Sequence, residues 1–109
     1  MDRNPEEWVR IYDGIGDLLF HLITDLSTAE KSVLDGSPRI EILLNFIHST
    51  GITIRRLEVA YSVLQKCRIH EAVRRGEGPA EQLLGHDPAI VDWAVAQLVT
   101  RGILDPRAD

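Results

Sequence analysis

The sequence predicts an all-α fold, a compact bundle of six to seven short helices. Along the 109 residues, helix-start signals recur, in which a capping residue precedes a proline or an acidic residue, and apolar residues spaced three or four apart follow them. No segment of strand length alternates apolar and polar residues between turn signals. The predicted connections are short, and the length suits a single domain over residues 1–109.

The first predicted helix begins at Asn4-Pro5, where the asparagine can cap and the proline suits the first helical position. Apolar residues then recur at helical spacing over residues 8–26. Gly14 and Gly16 interrupt this pattern, and a glycine costs up to about 1 kcal/mol inside a helix. We therefore expect a short first helix over residues 5–13 and a break or bend before the second.

The middle of the chain contains two further start signals close together. Ser27 and Glu30 have the spacing of a capping box, which predicts a short helix that Gly36 can close. Ser37-Pro38 repeats the pattern of a cap and a first-position proline. The helix that begins there is expected to end near Gly51.

Thr53 is expected to cap the next helix, which extends to residue 66, with Ile52 and Leu57 placed for a hydrophobic staple. A short helix over residues 69–75 follows. These signals predict two helices joined by a tight turn around residues 49–52.

The C-terminal part, residues 79–104, is expected to add further helices to the bundle. Proline can start a short turn of helix over residues 79–85. Asp87-Pro88 then caps a last helix over residues 88–101, in which Trp93 and its neighbours are apolar around most of the circumference. Such a helix should be well buried, or should dock on another subunit.

The charges are divided unevenly along the chain. Residues 1–36 carry a net charge of −5, residues 37–76 carry +4 and residues 77–109 carry −4, within a total of −5. The N-terminus is acidic, which is unlike a signal peptide, and no apolar run approaches the length of a membrane helix. We expect a soluble, cytoplasmic protein whose charge pattern concerns association with partners.

The residues offer little for catalysis or for metal binding. Cys67 and His70 lie three apart and could form a thiolate–imidazole pair, but no orienting partner accompanies them. His21 lies four residues from both Asp17 and Asp25, a spacing more typical of side-chain pairs on a helix than of a metal site. We therefore expect no enzymatic activity, no metal and no cofactor.

One alternative is a DNA-binding helix-turn-helix domain built from residues 38–66. The turn around Gly51 would join two packed helices, and Arg55 and Arg56 would begin the recognition helix. Against this, Ile47 stands where a small residue normally permits close helix approach, and the acidic chain would gain little from counterion release. Binding to nucleic acid is therefore the second choice.

The same segment also resembles a known family. Residues 37–46, 51–58 and 64–73 contain, in order, a serine-proline helix start, apolar residues before an aromatic, a glycine and threonine that open the next helix, and a short helix of apolar and acidic residues. This resembles the carboxy-terminal half of the death-domain superfamily, above all the death domains of NF-kappa-B precursor proteins and netrin receptors. Residues 17–23 and 27–34 look like its second and third helices. The tryptophan common in that second helix is absent.

The resemblance implies a death-fold-like Greek-key bundle over residues 5–75, to which residues 79–104 are an addition without a counterpart. It implies a non-enzymatic adaptor domain that assembles in a signalling complex, with itself or with another death-fold domain, through contact between a basic and an acidic face. The basic candidates are Arg55, Arg56, Lys66, Arg68, Arg74 and Arg75. The acidic candidates are Asp13, Asp17, Asp25, Glu30 and Asp35.

Overall fold

The computed structural model describes residues 5–76 and 88–105. In this part of the chain there are four helices and no strand. The helices are α1 (Pro5–Leu34), α2 (Ile40–Lys66), α3 (Ile69–Arg74) and α4 (Pro88–Thr100). The all-α prediction is therefore confirmed for these residues.

The two long helices form an antiparallel hairpin that dominates the shape, which measures 53 × 28 × 22 Å. Residues 35–39 connect them, and Gly36 has a φ of +81°, which favours glycine. In the same connection, the backbone N–H of Arg39 donates to Ser37 Oγ at 3.2 Å. The turn predicted at Gly36 and Ser37 is therefore present. It joins the two long helices α1 and α2, in place of the shorter helices predicted on each side of it.

The core lies where α3 and α4 pack against this hairpin. Its α1 residues fall within residues 8–22 and its α2 residues within 54–64, and Leu57, Leu64 and Leu98 are fully buried. This placement follows from the three-and-four spacing of the apolar residues. It leaves the other end of the hairpin outside the main core.

The expected break near residue 13 is absent, because α1 is continuous through both glycines. A Cβ on Gly14 would lie 3.2 Å from Leu98 Cδ1, and one on Gly16 would lie 3.3 Å from Tyr61 Cε1. Each glycine therefore lets a neighbouring side chain approach α1 closely. The packing of Leu98 and Tyr61 against these glycines offsets the low helix propensity of glycine.

The predicted helix starts at Ser27 and Thr53 are also wrong, since both residues lie inside long helices. Thr53 Oγ1 donates to the backbone carbonyl of Ser49 at 3.1 Å, and Thr28 Oγ1 donates to that of Thr24 at 3.0 Å. Hydroxyl groups that could cap a helix can equally donate to the carbonyl one turn earlier. The turn expected around residues 49–52 is accordingly replaced by continuous helix.

Two of the shorter elements agree with prediction. The helix expected over residues 69–75 is α3, and the one expected over 88–101 is α4. The predicted cap at Asn4 and the predicted helix over 79–85 lie outside the described residues. Six to seven helices were expected, and the described part of the chain contains four because the predicted breaks within α1 and α2 are absent.

Candidate protein interaction surface

In the part of the chain that the structure describes, the α1–α2 hairpin is covered along its base. There, α4 packs on one side, with Leu98 against Gly14, and α3 packs on the other, where His70 meets Tyr12. We call residues 23–34 of α1 and 40–53 of α2 the distal hairpin. Among the described residues, the buried core cluster formed with α3 and α4 does not extend into this region, and only the half-buried Leu26 of its large apolar side chains packs against that cluster.

Large apolar side chains of the distal hairpin lie on the surface. They are Ile23, Leu34, Ile40, Ile42, Leu44, Phe46 and Ile52, which are 41 to 86% exposed. Six of the eight residues from 40 to 47 are apolar, so this part of α2 is apolar around most of its circumference. Scattered exposed apolar residues are ordinary, but a contiguous group is typical of an interaction site.

A groove of about 370 Å³ runs along one side of the distal hairpin. Ala29 and Ser32 of α1 contribute one wall, and Ile42, Leu43 and Phe46 of α2 contribute the other. At about 100° per residue, these α1 residues share a side with Gly14, against which α4 packs. The groove therefore lies on the same side of the hairpin as α4, beyond the region that α4 covers.

The six basic candidates do not form one face. Arg55 and Lys66 line the same shallow depression on α2. Arg56 instead lies over the ring of Trp93, 5.6 Å from its centroid, on the α4 side. Arg68, which has a φ of +51°, is 3.7 Å from Glu71, while Arg74 and Arg75 lie at the end of α3. Arg55 and Lys66 thus share one face of α2, about 16 Å apart along the helix axis, and Arg56 lies on another face.

The acidic candidates are spread along α1. Asp13 Oδ1 lies 3.5 Å from His70 Nε2 at the base of the hairpin, whereas Asp35 lies in the connection at its tip. At 1.5 Å per residue, roughly 33 Å separates these two ends. Asp25 lines the groove, and Asp17 and Glu30 are exposed elsewhere on the helix. A single acidic face is therefore not formed.

A cluster of aromatic rings at the base joins three helices, and it was not predicted from the sequence. The rings of Tyr12 and Tyr61 stack with centroids 4.5 Å apart, and His70 meets Tyr12 edge-on at 5.6 Å. Burial and the hydrogen bond with Tyr61 raise the pKa of Tyr12 to about 12. The helical spacing that places both tyrosines beside their buried faces was the available signal.

The residues considered for chemistry are not assembled into a reactive site. Cys67 is buried, whereas His70 is exposed and faces Asp13 and Tyr12. His21 lies beside the ring of Phe20. Within the described ranges, no three His, Cys, Asp or Glu residues are placed to hold a metal ion together.

The geometry of a helix-turn-helix is absent as well. That motif requires a turn before the recognition helix. Residues 49–52 instead lie in the middle of α2, and Arg55 and Arg56 therefore occupy a helix interior. The DNA-binding hypothesis loses the structural element on which it depended.

Comparisons with protein-family models, with curated proteins and with solved structures find no match to this chain. The death-domain resemblance accordingly stays a prediction. In the described ranges, no helix has both the length and the apolar character that crossing a membrane requires.

Proposed function

We propose that this chain is a non-enzymatic protein–protein interaction domain, which acts in assembly by associating with further copies of itself. The observation that carries the proposal is the distal hairpin, where large apolar side chains stay exposed among the described residues. Surfaces of this kind gain free energy when a partner removes them from water.

Charge-complementary contact is a second feature of the proposed association. The depression on α2 contains Arg55 and Lys66 together with Glu58, which leaves it with a net positive charge, and acidic residues lie along α1. A contact between two different surfaces of like chains can continue into an open oligomer, whereas contact between two identical surfaces closes as a dimer. Exposed ion pairs contribute under about 1 kcal/mol each, so the apolar surface should dominate the affinity.

The finer prediction of a death-fold assembly is kept separate from this proposal. A six-helix Greek-key bundle requires helix ends near residues 13, 27 and 51, and α1 and α2 are continuous there. The proposal therefore takes its geometry from the hairpin. A binding assay can include a death-fold domain as one of the candidate partners.

Sedimentation velocity over a protein concentration series tests the proposal. We expect the sedimentation coefficient to rise with concentration, and to do so at both low and high salt, because salt screens charge contacts but does not weaken apolar ones. A monomer at every concentration and salt would contradict homotypic association.

A charge-reversal variant separates the two contributions. Arg55→Glu with Lys66→Glu should weaken association modestly at low salt and have little effect at high salt. Arg74→Glu with Arg75→Glu is the matched control, because it makes the same charge change at the end of α3. Equal effects of both pairs would attribute the salt response to net charge alone.

A further inference from the structure

We infer that the occupant of the distal hairpin is the distal hairpin of a second copy, and that the two hairpins form a four-helix bundle about a two-fold axis. This inference rests on the proposed function and specifies its surface. The contact is assigned to the side of the hairpin opposite the groove. We call its apolar residues the distal stripe, which comprises Ile23, Leu26, Leu34, Ile40, Leu44 and Ile47.

The stripe follows from helical geometry. At about 100° per residue, Ile23 and Leu26 lie on one side of the α1 face that contacts α2, and the groove residues lie on the other. On α2, Ile40, Leu44 and Ile47 recur at intervals of four and three residues. This is the spacing of apolar residues where helices pack nearly parallel or antiparallel in bundles.

The distal part of α2 is more apolar than a two-helix hairpin needs. A helix that packs against one neighbour requires a narrow apolar stripe, whereas a helix in a four-helix bundle contacts two neighbours and requires a wider arc. Ile40 and Leu44 flank the α1 contact on the stripe side, and both stay about half exposed. A second pair of helices would complete their burial.

The exposed area suits a second copy. Taking roughly 150 Å² for a large apolar side chain, the exposed parts of Ile23, Leu34, Ile40 and Leu44 amount to roughly 350 Å². A standard interface buries about 800 Å² per partner, of which somewhat over half is apolar, or roughly 450 Å². The exposed parts of the half-buried stripe residues, Leu26 and Ile47, add to this apolar area and bring it closer to that of a standard interface.

Apolar content, and not charge, distinguishes the stripe from the groove. An isologous interface places each residue opposite an identical surface, so charges of one sign near its centre oppose association. On the groove side, Asp25 would meet such a surface. On the stripe side, Glu30 lies four residues from both Leu26 and Leu34, so each side has one exposed carboxylate and charge does not separate them. The apolar content does, because four large exposed apolar side chains belong to the stripe and two to the groove. We therefore assign the contact to the stripe.

Four arginine substitutions on the hairpin locate the interface. Leu44→Arg and Ile40→Arg change the stripe, Ile42→Arg changes the groove side, and Phe20→Arg is the control on α1, nearer the base. Leu44 and Phe20 are 50% and 69% exposed, so both substitutions should be tolerated by the monomer. Circular dichroism of each variant verifies that loss of association is not loss of folding.

We expect the wild-type chain to dimerise, and Leu44→Arg and Ile40→Arg to raise the dimer Kd by at least about 100-fold with unchanged helicity. Ile42→Arg and Phe20→Arg should leave it within about threefold of wild type. Wild-type association that survives both stripe variants would overturn the stripe while leaving the proposed function intact. Dissociation by Ile42→Arg or Phe20→Arg alone would move the interface to their surfaces, and a monomeric wild type would end both proposals.

Discussion

Replacing Gly51 by alanine should stabilise the protein. Gly51 lies in the interior of α2, and a Cβ built on it would meet no atom within 4 Å apart from its own helix and chain neighbours. The added methyl group therefore neither clashes nor gains packing. The expected effect is the helix-propensity difference alone, about 0.5–1 kcal/mol in favour of alanine.

Thermal unfolding followed by circular dichroism at one fixed protein concentration measures this effect. For a domain of about this size, 1 kcal/mol corresponds to roughly 4–8 °C, so the Tm should rise by roughly 2–8 °C. Gly36→Ala is the matched control, because its Cβ also meets nothing within 4 Å while its φ is +81°. That variant should lose about 1 kcal/mol, since side chains disfavour this conformation.

The sign of the result distinguishes two structures. If residues 49–52 formed the turn of a helix-turn-helix, Gly51 would occupy a turn position, and alanine there would destabilise the fold. A fall in Tm for Gly51→Ala, comparable to that for Gly36→Ala, would refute a continuous α2. It would also restore the structural basis of DNA binding.

Three further outcomes follow from single contacts. Leu57→Ala should cost about 2–5 kcal/mol in urea unfolding, because Leu57 is completely buried; a loss below about 1 kcal/mol would contradict its place in the core. The pKa of Tyr12 is raised to about 12 in the folded chain, so the unfolded chain ionises first and stability should fall from about pH 10 towards pH 12; Tyr12→Phe should reduce that fall in melts across this range. Arg56→Ala should lower the free energy of unfolding by about 0.5–1 kcal/mol, because it removes the contact with the Trp93 ring. The tryptophan fluorescence should change as well, and an unchanged spectrum would count against that contact.

Helix content and buried faces were predictable because they depend on local periodicity. The apolar spacing in α1 and α4 correctly indicated helices, and the turn at Gly36 followed from glycine and the adjacent Ser37-Pro38. Helix boundaries were not predictable from the same signals. Gly14 is required by the close approach of Leu98, which depends on a residue more than 80 positions away.

Thr53 shows the second limit. A threonine before an apolar run is compatible with a cap, yet the same hydroxyl can donate to a carbonyl one turn earlier, as it does to Ser49. The sequence is compatible with both roles of the threonine hydroxyl. Thr53 takes the second role because the helix continues on both sides of it. This error divided α2 into two helices and created the helix-turn-helix alternative.

The candidate surface was harder to predict than the fold. Apolar residues at helical spacing usually lie in a core, and this rule alone would bury Leu43, Leu44 and Ile47. Leu44 is instead half exposed, since α3 and α4 cover only the base of the hairpin. How much of one helix another helix covers depends on their tertiary arrangement, which the spacing of apolar residues does not indicate.

The partial covering of the hairpin also means that α1 and α2 each have two regions of different local stability. Opening the base disrupts the buried contacts of Leu57, Leu64 and Leu98, whereas opening the tip disrupts only contacts between two helices. Local opening free energies follow the contacts broken, so the tip should fray and re-form many times for each global unfolding event. A bound second copy would slow that fraying, and slower exchange of the backbone amide hydrogens at the tip would accompany assembly.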